Sequence, residues 1–264
     1  MISLKENLET QARYATRRVE ATRNPVAFMA SAFVAGAFIG LGVLFMLTAG
    51  GPFKVAGHPA APLVGGTVFA VGLILVVFSG VQLLTSAMMV IPIGLARNTV
   101  GWAASIYSIV LMYVGNFLGS LGLAAVIVAS GITEPGQPAG EYLSVVVHHK
   151  VDHSVTELMF LGALCNVFVC LAVWGAAATD NAAAKVAVIA WCVAAFVASG
   201  TEHVVANMTL FSAALLQGVE GIGISELLWN QLWVFVGNFI GGGLFVAMPL
   251  LMSDPQPSLV SAEK

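Results

Sequence analysis

Long apolar stretches separated by short polar ones set the pattern of this chain. Six of them, at 26–49, 63–95, 102–130, 154–177, 184–216 and 229–251, each reach the length of about 20 residues that a helix needs to cross a bilayer core of about 30 Å. Ahead of the first, Leu4, Leu8, Ala12, Ala15 and Val19 recur at helical spacing among charges. That pattern predicts an amphipathic helix over 1–25, lying on the cytoplasmic face. The apolar run that follows is too long for a signal-peptide core and has no polar cleavage segment, so it is expected to stay in the membrane. After Met252 the Asp-Pro-Gln-Pro-Ser stretch predicts a short disordered cytoplasmic tail over 253–264. The middle, 26–252, is then the transmembrane domain.

Composition narrows the reading. Of 264 residues 59% are apolar and 9% charged, against about 25% charged in a soluble domain. With a mean hydropathy of +0.94, the chain is an all-α integral membrane protein and not a soluble enzyme. A net charge of −3, with no basic stripe beyond the N-terminus, excludes nucleic acid as a partner and leaves the lipid bilayer. The cysteines, Cys165, Cys170 and Cys192, lie in apolar runs and are odd in number, which suits packed membrane residues better than disulfides. His148, His149 and His153 have metal-like spacing, but only Asp152 stands near to complete a shell, so solvated loop residues are expected. No metal and no cofactor is called for.

An even number of spans places both termini on one side, and basic residues choose the side. Lys5, Arg13, Arg17, Arg18, Arg23, Arg97, Lys185 and Lys264 fall in one set of connections; Lys54 and Lys150 fall in the other loops. Both termini are therefore expected in the cytoplasm.

The two halves of the chain resemble each other. Ser79-Gly80-Val81-Gln82, followed by Met88, matches Ser199-Gly200-Thr201-Glu202, followed by Met208, 120 residues on; Val114-Gly115-Asn116-Phe117-Leu118-Gly119 matches Val236-Gly237-Asn238-Phe239-Ile240-Gly241, 122 residues on. Two ordered matches at nearly one offset predict two three-helix units, 26–130 and 154–251. Three is odd, so the second unit enters from the opposite side, an inverted repeat typical of proteins that move solutes. Each Ser-Gly pair falls inside an apolar segment and is followed by Gln82, Thr85 and Ser86 or by Thr201, Glu202, His203 and Asn207. Spans two and five are expected to break there, because irregular backbone at that depth survives only in protein or beside a cavity. Gly200 suits the end of one half-helix, Thr201 the N-cap of the next and Glu202 its first turn; Thr85 or Ser86 fits the corresponding cap. The positive ends of the two second halves would then face each other, a site for an anion or a dipolar solute.

At these residues the chain resembles the formate/nitrite transporter family, and within it the nitrite-channel branch. The resemblance rests on Gly162-Ala163-Leu164-Cys165-Asn166-Val167-Phe168-Val169-Cys170-Leu171-Ala172-Val173-Trp174, on Phe196-Val197-Ala198-Ser199-Gly200-Thr201-Glu202-His203 continuing through Ala206-Asn207-Met208-Thr209-Leu210-Phe211, and on Gly237 to Gly243. It implies an aquaporin-like six-transmembrane-helix protomer, a homopentamer with one pore per subunit, and transport of small monovalent weak-acid anions such as nitrite, formate and hydrosulfide. By the same resemblance His203 is the central pore histidine, Lys150 the lysine of the outer vestibule, and Asn166, Asn238 and Thr85 are polar residues of the pore. Phe69, Leu73, Leu84 and Phe196 stand at its apolar constrictions. One departure is clear. Where the family has a carboxylate followed by Leu-Phe-Thr, this chain reads Gln82-Leu83-Leu84-Thr85.

An ionisable His203 deep in an apolar segment is costly and usually functional, and imidazole exchanges protons near neutral pH. A neutral acid crosses an apolar constriction more cheaply than its anion. Glu202 is expected to hold the break by hydrogen bonds, and Lys150 to make the vestibule positive and concentrate anions. Asn116 and Asn238 are expected to make interhelical hydrogen bonds, with pore lining an equal alternative for Asn238. The reading is a nitrite channel of the bacterial inner membrane, with formate next; the alternative from another class is a neutral-solute pore of aquaporin type, against which stands the absence of Asn-Pro-Ala motifs.

Overall fold

The computed structural model describes residues 2–254, and the tail expected at 253–264 lies almost wholly outside them. Among the described residues the chain is helical, with no strand. Five helices are long and apolar enough to cross a membrane: α2 (Pro25–Val55), α3 (Ala61–Ser79), α5 (Trp102–Ala129), α7 (Val155–Ala177), and the run Ile224–Met252. That run is α10 (Ile224–Phe239), a π-helical stretch (Ile240–Ala247) and α11 (Met248–Met252). The apolar segments 63–95 and 184–216 are each two helices: α3 is followed by α4 (Leu84–Ala96), and α8 (Ala182–Ala198) by α9 (Val204–Gln217).

Local sequence explains most of the boundaries. Ser3 and Glu6 form a capping box that starts α1 (Leu4–Ala21), and Ser154 with Glu157 does the same for α7. Asn24 accepts the Ala27 N–H with Pro25 at the first helical position of α2. Gly80 and Gly200 end α3 and α8 at φ of 65° and 68°, a left-handed backbone that a side chain disfavours.

Two features depart from the hydrophobic pattern. Residues between the third and fourth apolar segments form α6 (Pro138–Val151), so Lys150 sits on the last turn of a helix and not in a loop. His148, His149 and Lys150 in that turn suit the negative end of the helix. In α1 the apolar stripe faces protein: Leu8, Ala12 and Ala15 are buried, and Asn7 Nδ2 donates to Trp174 O at 3.0 Å.

Small residues let the long helices approach closely. A Cβ on Gly119 of α5 would collide with Phe33 O of α2, and one on Gly241 with Ala163 O of α7, so α2 with α5 and α7 with Ile224–Met252 form matching pairs. Outward, Trp102 and Trp191 are 72% and 75% exposed, an apolar surface that only lipid or another apolar surface can cover. Cys165 and Cys170 are buried and Cys192 half-buried, all three as free thiols.

Candidate functional site

The two breaks, at 80–83 and 199–203, lead into helices whose first turns meet. Thr85 Oγ1 in α4 lies 3.1 Å from His203 Nε2 at the start of α9. His203 itself is the N-cap of α9, its Nδ1 accepting the Ala206 N–H at 3.0 Å. A ring nitrogen that accepts carries no proton, so the imidazole hydrogen sits on Nε2 and is donated to Thr85 Oγ1.

This arrangement corrects the expected caps. Thr201 does not cap α9; its hydroxyl and its N–H both donate to Phe196 O and so close the end of α8. Glu202 precedes the helix instead of lying in its first turn. In the other break Leu83 is the N-cap and makes no side-chain bond, while Ser86 Oγ donates back to Leu83 O. Gly80 and Gly200 supply the turn, and in each break two further residues lead to the next N-cap, which puts the cap at Leu83 and His203 and not at a serine or threonine.

Both helix starts are held by asparagines. Asn116 Oδ1 accepts the Leu84 N–H, and its Nδ2 donates to Gln82 O and Ala32 O at 2.9 and 2.8 Å. Asn238 Oδ1 accepts the Val204 N–H, and its Nδ2 donates to Glu202 O and Gly162 O, each at 2.8 Å. The interhelical bonding expected of the pair is what they make. Asn166 adds a third brace, donating to Thr85 O and Asn238 O at 3.2 and 2.7 Å.

Above His203 opens a cavity of about 210 Å³ lined by Phe69, Phe196, Lys54, His149, Lys150 and Glu202, among others. Phe196 stacks on His203 with centroids 5.8 Å apart, and Phe69 meets Phe196 edge-on at 5.9 Å. Leu73 and Leu84 are fully packed and line neither this cavity nor a second one, of about 300 Å³, on the α1 side of the contact. Asn166 and Asn238 also line neither, and the Nδ2 of each donates to backbone carbonyls.

Lys150 is not a bare charge. Its Nζ lies 2.9 Å from Glu202 Oε1, and both side chains are at most 10% exposed. Glu202 Oε2 accepts from Asn207 and Asn230. In low dielectric such a carboxylate is kept by its partners, and the pair projects much less field into the cavity than a lone lysine would. Asn230 was invisible to sequence reasoning: it follows Trp229 in an apolar run, and only the fold brings it to Glu202 across 28 positions. Elsewhere, His148 bonds Ser144 O and Glu220 O, and the His149 and His153 rings meet edge-on at 4.7 Å.

Comparison with known proteins covers almost the whole chain. The family model described as "Formate/nitrite transporter" matches residues 5–252. The "Nitrite transporter NirC" of Escherichia coli (strain K12) is 33% identical over 249 residues, covering 91% of this chain and 88% of its own. The "Formate channel FocA" of the same strain is 32% identical over 249 residues, 87% of each chain. Among solved structures, an "FNT family ion channel" superposes with a TM-score of 0.89 at 32% identity, covering 95% of this chain and 100% of that one. A "Pentameric formate channel with formate bound" superposes at 0.76 and 28% identity, covering 88% and 98%.

Proposed function

This chain belongs to the formate/nitrite transporter family, and from that premise we propose that it carries a small monovalent weak-acid anion, nitrite foremost and formate or hydrosulfide after it, across the bacterial inner membrane. Its relatives are transporters and channels, not enzymes. The similarity to a nitrite transporter supports nitrite, and the similarity to formate channels keeps formate in view. The observation that carries the reading is the contact of His203, which lines the first cavity, with Thr85, the neighbour in sequence of Ser86 in the lining of the second.

In this reading the chain is a six-span protomer of two inverted three-helix units, with both termini cytoplasmic. Residues 1–25 form a cytoplasmic helix, 26–252 the channel and 253–264 a cytoplasmic tail. The matching bonds of Asn116 and Asn238 support the repeat. A homopentamer is supported by the pentameric neighbour and by the exposed apolar faces that a second copy would cover.

An anion entering the Lys150 cavity loses water at Phe69 and Phe196 and reaches the Nε2–H of His203 and the Thr85 hydroxyl, the donors placed where its hydration is lost. Beyond lie Leu73 and Leu84, through which the neutral acid passes at lower cost than the anion. His203 can hand over a proton only after Nδ1 has taken one, which requires release of the Ala206 N–H. Proton exchange is thus tied to loosening the first turn of α9. Lys150, Glu202, Asn166 and Asn238 act by holding the two breaks in register.

Purified protein in liposomes, offered nitrite, formate, hydrosulfide and water at two pH values, tests this. Anion flux well above empty liposomes is expected, and His203→Ala should cut it at least about tenfold, the loss of one hydrogen bond to a charged group. Rapid water movement without anion flux, or unchanged flux and pH dependence in His203→Ala, would sink the proposal.

A further inference from the structure

The first break carries a positive charge of its own. Arg18 reaches out of α1 so that its Nη2 donates to Ser86 Oγ at 2.9 Å and its Nη1 to Leu83 O at 3.4 Å. A guanidinium has five donors, and these two bonds leave others for a ligand. The cavity of about 300 Å³ beside it is lined by Arg17, Arg18, Lys185, Gly80, Gln82 and Ser86, with no carboxylate among its lining residues. Among the described residues the ion pairs are Arg97 with Asp254 and Lys150 with Glu202, so none of these three cations has a carboxylate in reach. Gln82 Oε1, in the same lining, is buried without a hydrogen-bond partner. Burial pushes the Arg18 guanidinium down to about 10, which leaves it charged at neutral pH.

We propose that this cavity is a second, separate anion site of the protein, in which Arg18 holds a small oxyanion such as nitrite or formate and Gln82 Oε1 takes the hydrogen of its protonated form. The chemistry is that of a charge-assisted, two-point contact: guanidinium N–H groups match two oxygens of a planar oxyanion, and a neutral amide oxygen accepts from the acid without repelling the anion. A carboxylate at position 82 would instead pair with Arg18 and empty the site, so Gln82 is the specificity-determining residue. In the other cavity, by contrast, Lys150 is paired with Glu202. The proposed site rests on the reading of this protein as an anion channel, and makes its α1 side the high-affinity side.

The test is calorimetric titration of purified full-length protein with sodium nitrite, sodium formate and, separately, short-chain phosphatidylglycerol, with flux measured on the same preparations in liposomes. Arg18→Gln and Gln82→Glu should each weaken nitrite binding about tenfold or more, and Arg18→Lys, which keeps the charge but loses the two-point fork, should fall between wild type and Arg18→Gln. Half-saturation of flux should rise for anion offered on the α1 side and stay unchanged for the opposite side. Wild-type flux with equal nitrite affinity in all variants overturns the site and leaves the channel reading standing. Nitrite binding that depends on Arg18, without flux, keeps the site and removes the channel. Phosphatidylglycerol binding in place of nitrite assigns the cavity to a lipid headgroup and overturns the small-anion proposal, as does the absence of any binding. Gln82→Glu keeps the question open to decision if Arg18→Gln does not fold.

Discussion

The break at 80–83 and the break at 199–203 share a frame and differ in chemistry. Each has a left-handed glycine, and each places an asparagine of a distant helix on the first free N–H of the next half-helix. Yet one N-cap is Leu83, which bonds nothing with its side chain, and the other is His203, which caps with Nδ1 and reaches Thr85 with Nε2. One break holds a neutral Gln82 and an arginine that has no carboxylate partner among the described residues; the other holds a Glu202 and Lys150 ion pair. The backbone's hydrogen-bond needs are thus met in the same way at both breaks, while the side chains around them differ.

The largest expected effect breaks the comparison at its charged end. Glu202→Gln leaves Lys150 buried with no counter-charge and should lower stability by about 3–5 kcal/mol, read as a lower unfolding midpoint in detergent. Gln82→Ala at the equivalent place removes no bonded partner of Oε1 and should cost less than about 1 kcal/mol. Equal losses for the two variants would contradict the asymmetry.

Next come the shared asparagines. Asn116→Leu and Asn238→Leu each strip three buried backbone groups of their partner, at about 3 kcal/mol in total, and the two losses should be alike in thermal unfolding. A large effect at one and none at the other would show that the frame is not duplicated. Smallest are Gly80→Ala and Gly200→Ala. A Cβ at either meets nothing within 4 Å, so only the positive φ opposes it, at about 1 kcal/mol for each. The same pair of midpoints measures whether the breaks are equally strained.

Polarity and period were enough to identify a multi-span membrane protein, its apolar segments and the places where two segments break. These are local properties, because a lipid-facing position tolerates few residue types and a break needs glycine wherever it falls. The partners were decided by tertiary structure. Arg18 meets Ser86 across 68 positions, Lys150 meets Glu202 across 52, and Asn238 meets Val204 across 34. A polar residue in an apolar run announces that it needs a partner, but nothing in the run says which helix supplies it. For that reason the cap of α9, the helix α6, the pairing that quiets Lys150 and the open cation at Arg18 all had to come from the packing of helices against one another.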